Sequence, residues 1–344
     1  VARIAALVGP LASVLRRTSH SNLLGGNHFI AFSCLILAVN PRGAAFLLLV
    51  LGAVLVLPLS ADPLRLVPPE RLRLWPLSRA ERLWIRAYSL VFSPVPWVAL
   101  ALPLWAGRKY LVLSCGLIVL ALASNGAYLL WSRWAERQPQ GHVRRWFPLP
   151  NGRFGSLLGK NLREQLRVLD PYVGLLLCLA GSVQRWLHPP MPTATRQGLA
   201  LLVALSFSSL AQRLFALEGR GGFLRYALWP LKGWQILLAK DLAFLLLLLL
   251  LVLPLAPLSG LAAGLTLLAI GHGPSVLDPQ PQAPWRFTVG VRGWWGPVQV
   301  LAMFLVGSAA GRQPLIFLPL AGGVWLLSLV CFGSRLEKRL AVAR

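Results

Sequence analysis

A chain of 344 residues that is 56% apolar and only 13% charged, with a mean hydropathy of +0.65, lies outside the balance of a soluble domain. Its 34 Lys and Arg against 10 Asp and Glu leave a net charge of +24. In a soluble protein that excess would suggest nucleic acid, but here the basic residues sit mostly between apolar runs, so a membrane surface is the expected partner and nucleic acid is not.

Apolar helices of about 20 residues span a bilayer. In chain order the apolar runs fall near 28–39, 43–59, 87–107, 110–131, 169–187, 197–212, 239–257, 259–272, 296–311 and 314–332. They predict an all-α, polytopic integral membrane helical bundle of about ten transmembrane helices, with amphipathic helices at the interface. With both termini cytoplasmic, most of the 34 basic residues fall on the inner side, which sets the expected orientation in a cell inner membrane. The outer connections are then very short, and a folded partner would meet the chain from the cytoplasm. The first 28 residues lack a basic segment followed directly by an apolar core and a small-residue cleavage site, so no cleavable signal is expected.

The first cytoplasmic segment carries a pattern that returns later. Pairing 71–90 with 225–244 without gaps matches Arg71 with Arg225, Leu74 with Leu228, Trp75, Pro76 and Leu77 with Trp229, Pro230 and Leu231, and Leu83 with Leu237. It also sets basic Arg86 against basic Lys240. Similarity at a fixed offset is how internal repeats show themselves. Each copy precedes an apolar run and reads as a polar turn leading into a helix. In the first copy Arg79, Arg82 and Arg86 form a basic stripe on that helix.

In the fourth run Asn125 is a candidate lining residue for a transport path, or a hydrogen bond to a neighbouring helix. The stretch 136–155 is dense in Gln, Pro, Gly and Asn and reads as a linker. It divides the chain into an N-terminal membrane half, 1–153, and a C-terminal half, 154–344. From Leu158 the apolar residues Leu162, Leu166 and Leu169 recur at helical spacing opposite Lys160, Arg163, Glu164 and Arg167, which predicts a short amphipathic helix along the headgroups. Gln184, with Arg185, is the second candidate path residue, and Arg185 can equally snorkel to the headgroups. Segment 271–297, rich in Pro and Trp, reads as a loop folded against the membrane surface.

Catalytic and metal chemistry find little support. Residues 155–161, G-S-L-L-G-K-N, fall short of a phosphate-binding loop in glycine spacing and lack the Ser or Thr after Lys160. The five His are scattered, and Cys34, Cys115, Cys178 and Cys331 lack metal-ligand spacing, so neither a metal nor a catalytic residue is expected. Asp170 and Asp241 lie nearest to membrane depth, both at expected span ends, with Lys240 the local partner for Asp241.

Over 155–332 the chain resembles the membrane subunit of an ATP-binding-cassette (ABC) transporter of the type-2 exporter class. That family has an amphipathic elbow helix, matched here by 159–169, and two spans. A cytoplasmic connection follows, reading acid, Gly, Leu, Pro and a Lys entering the third span. Glu218, Gly219, Leu228, Pro230, Leu231 and Lys240 stand in that order. The resemblance implies that 229–235 docks on a separate ATPase, which would bind the ATP and Mg, and that this chain binds no cofactor itself. Trp75, Pro76, Leu77, Arg79, Arg82 and Arg86 would form a second docking element. A homodimer or a second permease would complete the path. Ten spans exceed the family's six, so the first half reads as a partial duplicate. The rival readings are an intramembrane enzyme acting on lipid-linked substrates, which would bring Asp170 and Asp241 into one pocket, and a membrane scaffold. Walls of Leu, Ala and Gly lean towards a lipid, a hydrophobic peptide or an amphiphile as cargo.

Overall fold

The computed structural model describes residues 78, 81, 152–187, 191–218, 225–227, 231–279, 288, 290 and 294–342. The chain divides into two compact units. One comprises Val1–Gly25 and Ser33–Gln138, the other Gly26–Phe32 and Pro139–Arg344. The four expected spans of the first half lie outside the described residues, as do Trp75, Pro76, Leu77, Arg79, Arg82, Arg86 and Asn125.

Among the described residues all regular structure is helical. In chain order the second unit has α1 (Arg153–Gln165), α2 (Asp170–Leu187), α3 (Thr193–Ser206), α4 (Ser208–Gln212), a 3-10 turn (Ala216–Glu218), α5 (Gly233–Val252), α6 (Pro257–Leu277), α7 (Trp295–Arg312) and α8 (Pro314–Val342). Three of these, α5, α6 and α8, are long and apolar enough to cross a membrane, and the bent pair α1–α2 makes a fourth if it is one span.

The amphipathic helix differs from its expected bounds: it starts at Arg153, ends at Gln165, and turns by 77° into α2 through residues 166–169. Its buried face differs too. Leu157 and Leu162 are buried as an apolar stripe requires, but so are Asn161 and Gln165 beside them, because this face meets the polar start of α5 rather than lipid alone.

The run at 239–257 becomes a helix over Gly233–Val252, which sets Lys240 and Asp241 two turns inside α5 instead of at its end. Gln235 is responsible for the earlier start: its side-chain Oε1 accepts the Lys232 backbone N–H at 3.0 Å, satisfying a donor that a helix start otherwise leaves unpaired. A short turn over 253–256 reverses the chain into α6, which opens with Pro257 at its first position. Residues 271–277, expected as loop, complete the last turns of α6.

α6 is the central helix. Its apolar window is 83% buried, against 61% for α5 and 11% for α8, and it packs on α3, α4, α5, α7 and α8. Small residues let it sit there: a Cβ built on Gly264 would lie 2.3 Å from Leu248 Cδ2, and one on Gly260 would lie 2.6 Å from Val252, so Gly260-xxx-Gly264 carries the α5–α6 hairpin contact. Phe207, at the break between α3 and α4, meets Phe244 edge-to-face with ring centroids 5.4 Å apart. On the outside, α8 exposes Leu315, Ile316, Leu320, Leu326, Leu327 and Val330, an apolar surface of the kind lipid covers.

Antiparallel reversals place the start of α5, the end of α6, the start of α7 and the charged end of α8 at one end of the bundle. There a Cβ on Gly233 would lie 2.2 Å from the Gly333 carbonyl oxygen, and Arg339 donates to the Val276 and Leu277 carbonyls at the end of α6. Arg339 thereby satisfies carbonyls that a helix C-terminus leaves open and meets the dipole with the favourable charge.

Candidate functional site

At the end bearing the 213–232 connection, Lys240 is buried to 1% exposure on α5 and points at Glu218, whose side chain is equally buried. Nζ lies 2.6 Å from Glu218 Oε1 and donates to the Leu214 carbonyl at 2.9 Å. Asn161 Oδ1 at 3.5 Å and Glu164 Oε2 at 3.9 Å, both from α1, complete its surroundings, with the Phe215 ring 4.6 Å away. Lys160 approaches from the more open side, 3.4 Å from Glu218 Oε1 and 3.6 Å from Glu164 Oε1. Tyr226 gives its hydroxyl hydrogen to Glu218 Oε1 and accepts from Lys160 at 3.2 Å. Burial, and then the Glu218 charge, push the Tyr226 hydroxyl well above the usual tyrosine range.

Two lysines and two glutamates thus form a charge-balanced network shared by α1, the connection and α5. Buried charges persist only when paired and hydrogen-bonded, and removing one partner typically costs about 3–5 kcal/mol. Gln165 adds a backbone tie by donating to the Lys240 carbonyl at 3.1 Å.

Of the expected site residues, the fold brings Glu218 and Lys240 into direct contact. Leu231, half-buried, leads into α5, while Gly219, Trp229 and Pro230 lie outside the described residues. Gln184 falls within α2, its side chain outside the described residues, and Arg185 donates to the Pro254 carbonyl at the opposite end. Lys160, Glu164, Asn161 and Tyr226 were missed as partners. The i, i+4 spacing of Lys160 and Glu164 was visible but read as a solvated face. Tyr226 lay inside the repeat opposite Leu72 and so drew no attention.

The repeat itself has a structural counterpart. In the first copy Glu81 Oε2 accepts the Ser78 N–H at 2.8 Å, and Ser78 Oγ accepts the Glu81 N–H at 3.2 Å, a reciprocal capping box. The ungapped pairing places Ser78 opposite Lys232 and Glu81 opposite Gln235. Both copies therefore carry the same bond at the same register, from the backbone N–H two residues after the Pro to the side chain three positions further on.

Asp241 does not pair with its sequence neighbour Lys240. Consecutive helical residues point about 100° apart, and Asp241 faces α6 and α8. Its Oδ2 lies 2.9 Å from His272 Nε2 and accepts from Trp325 Nε1 at 2.9 Å. His272 Nδ1 lies 2.9 Å from Ser328 Oγ. The sequence sets His272 aside as one of five scattered histidines, and its partners stand 31 and 56 positions away. Asp170 has different company: it accepts from the Thr288 backbone N–H and hydroxyl at 2.9 and 2.8 Å, which pins Thr288 to the start of α2. The two aspartates thus have different partners. Among the described residues no group of three His, Cys, Asp or Glu could hold a metal. No family model matches the chain, and neither curated proteins nor solved structures give a match.

Proposed function

We propose that this chain is the permease subunit of an ATP-driven exporter, multi-pass in the inner membrane with both termini cytoplasmic, coupled through the 213–232 connection to a separate ATPase that holds ATP and Mg. The observation that carries this reading is the contact of Glu218 with Lys240. The contact closes the connection into a loop whose two ends are pinned together and to α1. A force applied to 219–231 is then delivered at once to the interfacial helix and to α5, which is what a coupling element requires. The matching cap at Ser78 and Glu81 supports a second element of the same design in the first half, at 75–86. Membrane lipids cover α8, and a second copy or a second permease completes the path.

The test is affinity purification of the full chain from mild detergent, with and without prior cross-linking. An ATPase that co-purifies with wild type, and is lost with Trp229→Ala and Pro230→Gly while the permease stays folded, is the expected result. Failure to recover any ATPase even after cross-linking would sink the reading.

A further inference from the structure

His272 is wholly buried in α6, and both of its ring nitrogens are engaged. Nε2 lies 3.1 and 2.9 Å from the two carboxylate oxygens of Asp241 on α5, and Nδ1 lies 2.9 Å from Ser328 Oγ on α8. Ser328 Oγ in turn lies 2.6 Å from the Ala269 carbonyl oxygen of α6. A carbonyl has no hydrogen to give, so the single hydroxyl hydrogen of Ser328 is committed to that contact. The Nδ1–Oγ contact then needs its hydrogen from Nδ1, and the Nε2–carboxylate contacts need a second hydrogen, carried by Nε2 or by the Asp241 carboxyl. Satisfying all of these contacts takes one proton more than a neutral imidazole beside a carboxylate holds, and with it the buried pair has no net charge.

Among the described residues the other side chains that meet this pair are neutral, and the cation Arg335 stands over the Phe332 ring, 5.1 Å from its centroid. α8 contributes Trp325, which donates to Asp241, and Phe332, whose ring centroid is 6.4 Å from the imidazole. Lys240, next to Asp241 in the chain, is turned to Glu218. The residue types are those of a nucleophilic triad, but a serine whose hydrogen is committed to a carbonyl, against an Nδ1 that already carries hydrogen, has no base to activate it.

We propose that Asp241, His272 and Ser328 form a proton-binding site among α5, α6 and α8, and that the bound proton ties α8 to the other two helices. When the Nδ1 proton leaves for water, the N–H bond breaks with its electron pair staying on the ring, and the cluster's charge falls by one. Lone pairs then oppose each other at His272–Ser328 or, if the hydroxyl turns, at Ser328–Ala269. Either way one α6–α8 contact becomes repulsive, and α8 moves away at this level. Ser328, half-buried, is the most exposed of the three. It lies seven residues from Arg335, about 10 Å along the helix from the charged end of α8. An ionisable cluster at that depth needs a use, and a helix tie broken by deprotonation supplies one. The inference concerns these three helices only and holds whether or not an ATPase docks at the connection.

The experiment uses the full chain in lipid nanodiscs and follows Trp325 as the difference in tryptophan emission between wild type and Trp325→Phe, from about pH 5 to about pH 10. A reversible transition is expected in wild type. His272→Gln abolishes it. Ser328→Ala, a small change that leaves Asp241 and His272 in place, moves it so that roughly tenfold more protons are needed to hold the tie. A flat difference in wild type, a transition that survives His272→Gln, or one unmoved by Ser328→Ala would each overturn the proposal. Should His272→Gln not fold, Ser328→Ala alone decides.

Discussion

Lys240 and Asp241 are adjacent, opposite in charge, buried to the same degree, and engaged in separate networks. Lys240 looks towards α1 and the connection, into a cluster of four charges and a tyrosine that reaches the more open Lys160. Asp241 looks towards α6 and α8, into a closed cluster of one acid, one imidazole, one hydroxyl and one indole. One step along a helix thus divides a surface-linked electrostatic junction from an interior hydrogen-bond chain. Adjacency in sequence is a poor guide to ion pairing inside a helix, because neighbouring side chains diverge while partners three or four residues away, or on other helices, converge.

The sharpest way to break this comparison is to exchange the two residues. If they paired with each other, Lys240→Asp with Asp241→Lys would be mild. With separate networks, an acid is set against Glu218 and a cation against His272, and the loss is expected to exceed about 5 kcal/mol, read as failure to recover folded protein from detergent. Lys240→Met alone leaves buried Glu218 with only the more open Lys160 as counter-charge and is expected to cost about 3–5 kcal/mol in thermal unfolding. Adding Glu218→Gln should return a large part of that loss, since the orphaned charge causes it.

A smaller effect separates the two clusters by geometry. Gly233→Ala builds a methyl into the Gly333 backbone and pushes α5 off α8, for about 1–3 kcal/mol. It should disturb the Trp325–Asp241 bond while leaving Lys240–Glu218 intact, which indole fluorescence and a double-mutant cycle with Lys240→Met can check. Smaller still, Gln235→Ala removes the cap that starts α5 and is expected to cost about 1 kcal/mol, and Glu81→Ala in the first copy should match it if the repeat is one structural unit twice.

The least disruptive test is a titration of the five tyrosines by tyrosinate absorbance. Tyr226, raised by burial and by Glu218, should stay neutral where an ordinary tyrosine ionises near pH 10. Its folded value exceeds its unfolded value, so its contribution to stability is complete below about pH 10 and is lost as the pH rises further. Tyr226→Phe should leave the amount of tyrosinate formed at about pH 11 unchanged and remove that alkaline loss.

Much of this was legible from the chain. The apolar runs over 239–257 and 314–332 announced α5 and α8, because a segment almost without charge has no other way to bury its backbone polar groups. The repeat also drew the eye to residues that the fold uses: Lys240 and Gln235 lie in its second copy, Glu81 in its first, and Glu218 just ahead of the second. What was hidden depended on direction. Asn161 and Gln165, which no expectation singles out, are buried contacts of α1. Lys160 and Glu164, expected on the polar side of an interfacial helix, are half of an ion-pair network.

His272 illustrates the limit most plainly. Its helix was placed by apolarity and small residues, yet nothing within a window of α6 tells of an aspartate 31 positions earlier or a serine 56 positions later. Among the described residues the sequence by itself determined that the structure is helical and which helices are amphipathic or apolar, since those follow from local periodicity. Only the tertiary structure decided which charges meet. Pairing in a bundle is set by how helices are rotated and stacked against one another, and the 3.6-residue turn sends Lys240 and Asp241 to different partners before either can choose its neighbour.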